Sequence, residues 1–126
     1  MQIDRVDHFV LTVQDIDATC DFYRKACGMD VVVFGEGRKA LAFGRQKINL
    51  HQAGAEFLPK AANPTKGSGD FCLISSVPLE EVMANLEAHG IVIEEGPINR
   101  TGATGAIRSV YFRDPDQNLV EISVYL

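Results

Sequence analysis

The chain has 126 residues, 46% hydrophobic and 23% charged, with a formal net charge of −5. That length suits one domain with a proper core, and the acidic balance argues against nucleic-acid or anionic-membrane partners, which favour basic patches. No apolar run approaches the roughly 20 residues of a bilayer-spanning helix.

In chain order, Val6 to Val13 reads as a strand rich in β-branched and apolar residues. Asp15 is the expected N-cap of a helix in which Ile16, Cys20, Tyr23 and Cys27 recur at helical spacing until Gly28 ends it. Strands follow at Asp30 to Phe34, Lys39 to Phe43 and Lys47 to Gln52, divided by turns at Gly35-Glu36-Gly37 and Gly44-Arg45. Ala53 to Gly69 lacks periodicity and is longer than an ordinary connection. The pattern then restarts with a strand at Phe71 to Ser76. Pro78 opens a helix whose apolar face is Leu79, Val82, Met83 and Leu86, with Gly90 at its end. A strand is expected at Ile91 to Glu94, a long loop from Gly96 to Gly105, and a strand from Ile107 to Arg113. Asp114 to Asn118 forms a turn, and Leu119 to Tyr125 is the final strand.

The order β-α-β-β-β therefore occurs twice. Gly28 and Gly90 stand 62 residues apart, and the same spacing carries His8-Phe9-Val10-Leu11 onto Asp70-Phe71-Cys72-Leu73. Further on it widens to 69 between Phe43 and Phe112, and to 70 between His51 and Glu121. The expected fold is α+β, with two tandem βαβββ modules forming curved mixed β-sheets and helices packed outside. One domain covers residues 1–126, with module one at about 1–53, module two at about 69–126 and a connecting loop at 54–68. Cys20, Cys27 and Cys72 form no CxxC pair and are expected as reduced, mostly buried thiols. With an N-terminus unlike a secretion signal, they point to the cytoplasm.

The repeat makes His8 equivalent to Asp70, and His51 equivalent to Glu121. Side chains alternate along a strand, so all four are expected on corresponding faces. Two imidazoles with one or two carboxylates suit a divalent first-row metal. Taken singly, each also reads as an ordinary hydrogen-bonded or solvent-facing strand residue. His89 precedes Gly90 at a helix end and reads as structural.

At this point the chain resembles the vicinal oxygen chelate superfamily, which includes glyoxalase I, bleomycin- and fosfomycin-resistance proteins and ring-cleaving dioxygenases. The residues that carry the resemblance are Asp7-His8-Phe9-Val10-Leu11-Thr12-Val13, Asp21-Phe22-Tyr23 before Gly28-Met29, and Phe112-Arg113-Asp114-Pro115-Asp116 with Asn118-Leu119-Val120-Glu121. Arg38 to Leu41, Gln46 to Gln52 and Arg100 to Gly105 are similar to a subgroup of glyoxalase-domain, virulence-associated lactoylglutathione-lyase-like proteins. The resemblance implies His8, His51 and Glu121 as metal ligands, with Asp70 at the remaining position. The metal would be Zn, Ni, Co, Mn or Fe(II). It implies a glyoxalase-type lyase or isomerase in which Glu121, and secondly Asp70, moves a proton. The alternatives are an extradiol-type ring-cleaving dioxygenase and a non-catalytic antibiotic-binding protein of the bleomycin-resistance kind. Arg100 and Arg108, with Thr101, are the expected substrate anchors. Glutathione-using members commonly carry Arg and Asn where this chain has Thr12 and Ala55, which argues against glutathione. A usual His or Gln is Asp70 here, and a usual turn Gly is Gln117. A small-molecule substrate and a homodimer are expected, because open sheets leave edge strands that a second copy can cover.

Overall fold

A computed structural model describes residues 1–126 as two compact units, Met1–Gly67 and Ser68–Leu126. The first contains β1 (His8–Val13), α1 (Ile16–Cys27), β2 (Asp30–Phe34), β3 (Arg38–Phe43) and β4 (Gln46–Gln52). Its sheet has the order β1-β4-β3-β2, with β1 parallel to β4 and the other pairs antiparallel. The second contains β5 (Asp70–Ile74), α2 (Leu79–Ala88), β6 (Glu95–Thr101), β7 (Ala106–Arg113) and β8 (Leu119–Tyr125). It repeats the arrangement as β5-β8-β7-β6, with β5 parallel to β8. The chain is thus α+β, built from two βαβββ modules with mixed sheets. Neither helix is long and apolar enough to cross a membrane.

Local chemistry explains α1. The Asp15 carboxylate accepts a hydrogen bond from Ala18 N at 3.0 Å, satisfying one of the free N–H groups of the first turn. Gly28 ends the helix at φ 64° and donates its N–H to Arg24 O, a left-handed cap that glycine adopts without steric cost. Cys20, Tyr23 and Ala26 form the buried stripe, against a sheet face that buries Leu11, Val13, Leu41, Ile48 and Leu50. Burying such large side chains contributes about 1.5–3 kcal/mol each. In the second module Leu79 and Leu86 of α2 are buried, as are Val110, Phe112, Val120 and Ile122 of the sheet.

Strand alternation then divides each sheet. One face lies under its helix. The other bears no helix of its own module and carries Thr12, Arg38, Ala40, Asn49 and His51 in module one. In module two it carries Cys72, Ser109, Tyr111, Glu121 and Ser123.

Two expectations fail. The strand expected at Ile91–Glu94 lies instead at Glu95–Thr101, inside the segment read as a loop. Gly96 and Pro97 suggest a break, but they fall where the β6–β7 register shifts. A bulge on an edge strand tolerates a residue without an N–H. The thiols are also less buried than expected. Cys20 is buried, Cys27 partly so and Cys72 exposed.

The turn after β7 is tightly held. Asp114 accepts hydrogen bonds from Asp116 N at 2.9 Å, Asn118 N at 2.9 Å and Asn118 Nδ2 at 2.8 Å. Asn118 Oδ1 in turn accepts from Gly69 N at 2.7 Å, linking the start of β8 to the approach to β5. Gln117 occupies φ 72°, so this turn holds a side chain in the left-handed region.

Candidate functional site

The strand registers correct the internal alignment. In module one Val10 pairs with Asn49 and Thr12 with His51. In module two Cys72 pairs with Glu121, and Ile74 with Ser123. Because Val10 corresponds to Cys72, the counterpart of Glu121 is Asn49, and the counterpart of His51 is Ser123. Matching the ionisable residues misaligned the last strands by two positions. The apolar-polar-apolar triplets Ile48-Asn49-Leu50 and Val120-Glu121-Ile122 are the true equivalents, with all four apolar members buried. A slip of two preserves the face but moves the position by about 6.6 Å.

His8 is exposed at the start of β1, and its Nδ1 lies 2.7 Å from Asp7 Oδ2. This contact holds the Asp7 carboxyl below its usual range. A carboxylate bound to one ring nitrogen orients the imidazole and leaves the other nitrogen for a ligand. His8 pairs with Lys47 in the register, four residues from His51, a separation of about 13 Å along the strands. Module one therefore does not bring its two histidines together. Asn49 is closer to His8 along β4, and its Oδ1 is buried without a hydrogen-bond partner. His51 is 4% exposed, and its Nε2 lies 3.3 Å from Arg38 Nη2. Burial first, and then the Arg38 charge, lowers its pKa, partly opposed by Glu56. The neutral ring accepts the guanidinium hydrogen.

In module two Asp70 is exposed at the start of β5. Glu121 Oε2 accepts from Ser109 Oγ at 2.6 Å and from Ser123 Oγ at 3.3 Å. The two hydroxyls lie 2.6 Å apart, and Cys72 Sγ is 3.2 Å from Ser123 Oγ. Tyr111 pairs with Glu121 across the ladder. Its hydroxyl accepts from Arg100 Nε at 3.0 Å, while burial is the main cause of its raised pKa. Arg100 also meets Glu95 at 3.2 Å.

The expected anchors divide between faces. Arg100 shares the face of Glu121, whereas Arg108 and Thr101 alternate onto the opposite one. There, Arg108 donates to Asn99 Oδ1 at 2.9 Å. Sequence reasoning missed Asn49, Arg38, Tyr111, Ser109 and Ser123. Their signal was a place two residues from, directly across from or, for Ser109, diagonally across from a candidate ligand, and it becomes visible only with a register.

The glyoxalase/bleomycin resistance protein/dioxygenase superfamily profile matches residues 5–122. The chain belongs to that superfamily. It is 56% identical over 126 residues to virulence protein STM3117 of Salmonella typhimurium, covering all of this chain and 88% of the relative. The crystal structure of STM3117 superimposes with a TM-score of 0.98, covering 100% of both chains. Glyoxalase domain-containing protein RDO1 of Mycosarcoma maydis is 52% identical over 125 residues, covering 99% of this chain and 70% of RDO1. Lactoylglutathione lyase from Agrobacterium tumefaciens is 27% identical, with a TM-score of 0.74 over 98% of this chain and 95% of the lyase.

Proposed function

We propose that this member of the superfamily is a divalent-metal-dependent, glyoxalase-type lyase or isomerase acting on a small substrate with neighbouring oxygens. The observation that carries the reading is the repeated pair of positions, His8 with Asn49 and Asp70 with Glu121. One of these donors, Asn49 Oδ1, is a buried acceptor with nothing to bind. Such an orphan costs about 1–3 kcal/mol unless something satisfies it, and an amide oxygen is a suitable ligand for a hard cation. By donor type alone, the ligands we propose for such an ion are His8, Glu121 and Asp70, with Asn49 or His51 as the module-one β4 donor; no group of three or more His, Cys, Asp or Glu side chains is gathered in the structure. With Asn49 as that donor, the set is richer in oxygen than the expected two-histidine set, which favours Mn(II) over the softer metals.

A bound divalent ion would supply Lewis acidity toward substrate oxygens. The protein's own groups would manage the proton. Ser109 and Ser123 hold Glu121 Oε2, so Oε1 is the oxygen that would take a proton from one substrate carbon and return it to the next. Tyr111 and Arg100 would orient the substrate beside it. The dioxygenase alternative needs His51 as a ligand, and the Arg38 contact at its Nε2 works against that. Unpaired cysteines suit a reducing compartment such as the cytoplasm, and exposed Val31 and Val33 on edge strand β2 suit a homodimer.

Metal analysis of the purified protein tests the reading. Wild type should retain stoichiometric divalent metal, and His8→Ala and Glu121→Gln should each lose it. Full metal content in both variants would falsify the site. Comparing Asn49→Ala with His51→Ala identifies the donor on β4.

A further inference from the structure

Module one carries an arginine in an unusual setting. Arg38 opens β3, opposite Phe34 on β2. Its guanidinium carbon lies 5.0 Å from the centroid of the Phe34 ring and 4.4 Å from that of Phe57. Nη2 meets the His51 imidazole, and Nε is buried with no acceptor. Lys47 places its ammonium 3.7 Å from the same Phe34 ring, so two cations share one aromatic side chain. Neither forms an ion pair with a carboxylate, although acidic residues outnumber basic ones in the chain. The acid whose charge acts on His51 is Glu56, whose oxygens are engaged by Gly54 N and Lys60 Nζ.

A half-buried guanidinium without a counter-ion is costly, and cation–π contacts offset only part of the desolvation. In module two the corresponding positions, Ser109 and Ser123, serve a carboxylate belonging to the protein. Arg38 and His51 have no such carboxylate. We propose that Arg38, assisted by Lys47, binds a carboxylate group of the small-molecule substrate, with Phe57 closing over it. This goes beyond the metal reading and does not depend on it. A guanidinium offers carboxylates a planar pair of donors. The two flanking rings favour a flat anion over a tetrahedral phosphate. Phe57 lies outside any strand and is 43% exposed, so it can move aside without breaking the sheet ladder.

The test is calorimetric titration of the full-length protein, stripped of metal with EDTA, at low ionic strength. Malonate serves as the planar probe and inorganic phosphate as the tetrahedral one. Wild type should bind malonate more tightly than phosphate, and Arg38→Gln should weaken malonate at least about tenfold, the loss of one charge-assisted hydrogen bond. Arg38→Lys, which keeps the charge without the fork, should also weaken it, and this variant carries the test if Arg38→Gln fails to fold. Arg24→Gln, on α1 at the other face of the module-one sheet, should bind as wild type does. Absence of malonate binding by wild type, phosphate binding as tightly as malonate, or undiminished binding by a folded Arg38 variant would overturn the proposal. Metal content, measured separately, reports on the ligand set and not on this anion site.

Discussion

Asp114→Ala should be among the most damaging single changes outside the hydrophobic core. Asp114 is 2% exposed and accepts three hydrogen bonds at 2.8–2.9 Å, two of them from Asn118, itself 1% exposed. Asp116 N can turn to water after the substitution. The Asn118 N and Nδ2 groups remain buried without partners, each costing about 1–3 kcal/mol. The sum is about 2–6 kcal/mol, with about 4 as the central value. For a domain of this size that lowers Tm by roughly 12–20 °C. Urea denaturation followed by circular dichroism measures it, and an unchanged m-value would show that the native fold is otherwise kept. Asp114→Asn retains one carbonyl acceptor and should lose about half as much. The Asn118 link to Gly69, at the approach to β5, would loosen as well. A loss below about 1 kcal/mol for Asp114→Ala would refute the reasoning, because the orphaned donors would then have found other partners.

Gly96→Ala should cost about 2–3 kcal/mol, read by the same denaturation experiment, since an added Cβ would stand 2.4 Å from the Ser109 carbonyl oxygen at φ 108°. Gln117→Gly should raise stability by about 0.5–1 kcal/mol by relieving a left-handed side chain at φ 72°, less the entropy that glycine adds to the unfolded chain. His51 has a lowered folded pKa, so the unfolded chain takes up its proton first. Stability should therefore be complete above about pH 6.5 and decline as pH falls toward the folded value. Denaturation midpoints compared at neutral and mildly acidic pH should show this decline in wild type and a smaller one in His51→Gln.

The sequence revealed features that depend on local chemistry. Asp15 and Gly28 marked the ends of α1, and the run from Asp114 to Asn118 marked its turn, because capping and turn formation need particular side chains at fixed offsets. The β6 strand was hidden because Gly96 and Pro97 signal a break, and only the partner strand shows that the break is a bulge. The last strands of the two modules could be aligned correctly only with a register. Equivalence in a sheet is set by pairing across the ladder, whereas turns of unequal length disturb counting along the chain. The same limitation concealed the opposite orientations of Arg100 and Arg108. Arg38 entered the sequence reading only through the subgroup resemblance, since its significance lies in the absence of an acid around it.

The parallel pairing of β1 with β4, and of β5 with β8, also bears on the order of folding. Helices and adjacent antiparallel hairpins close short loops, whereas each parallel pair must bring together the two ends of its module, at a greater entropic cost. His8 and Asn49, like Asp70 and Glu121, lie on those end strands. Each module's own candidate donors are therefore assembled at the most non-local step of that module. Hydrogen exchange should find the amides joining the end strands opening before those of the β3–β4 and β7–β8 hairpins, so partial unfolding would dismantle the site while much of each sheet survives.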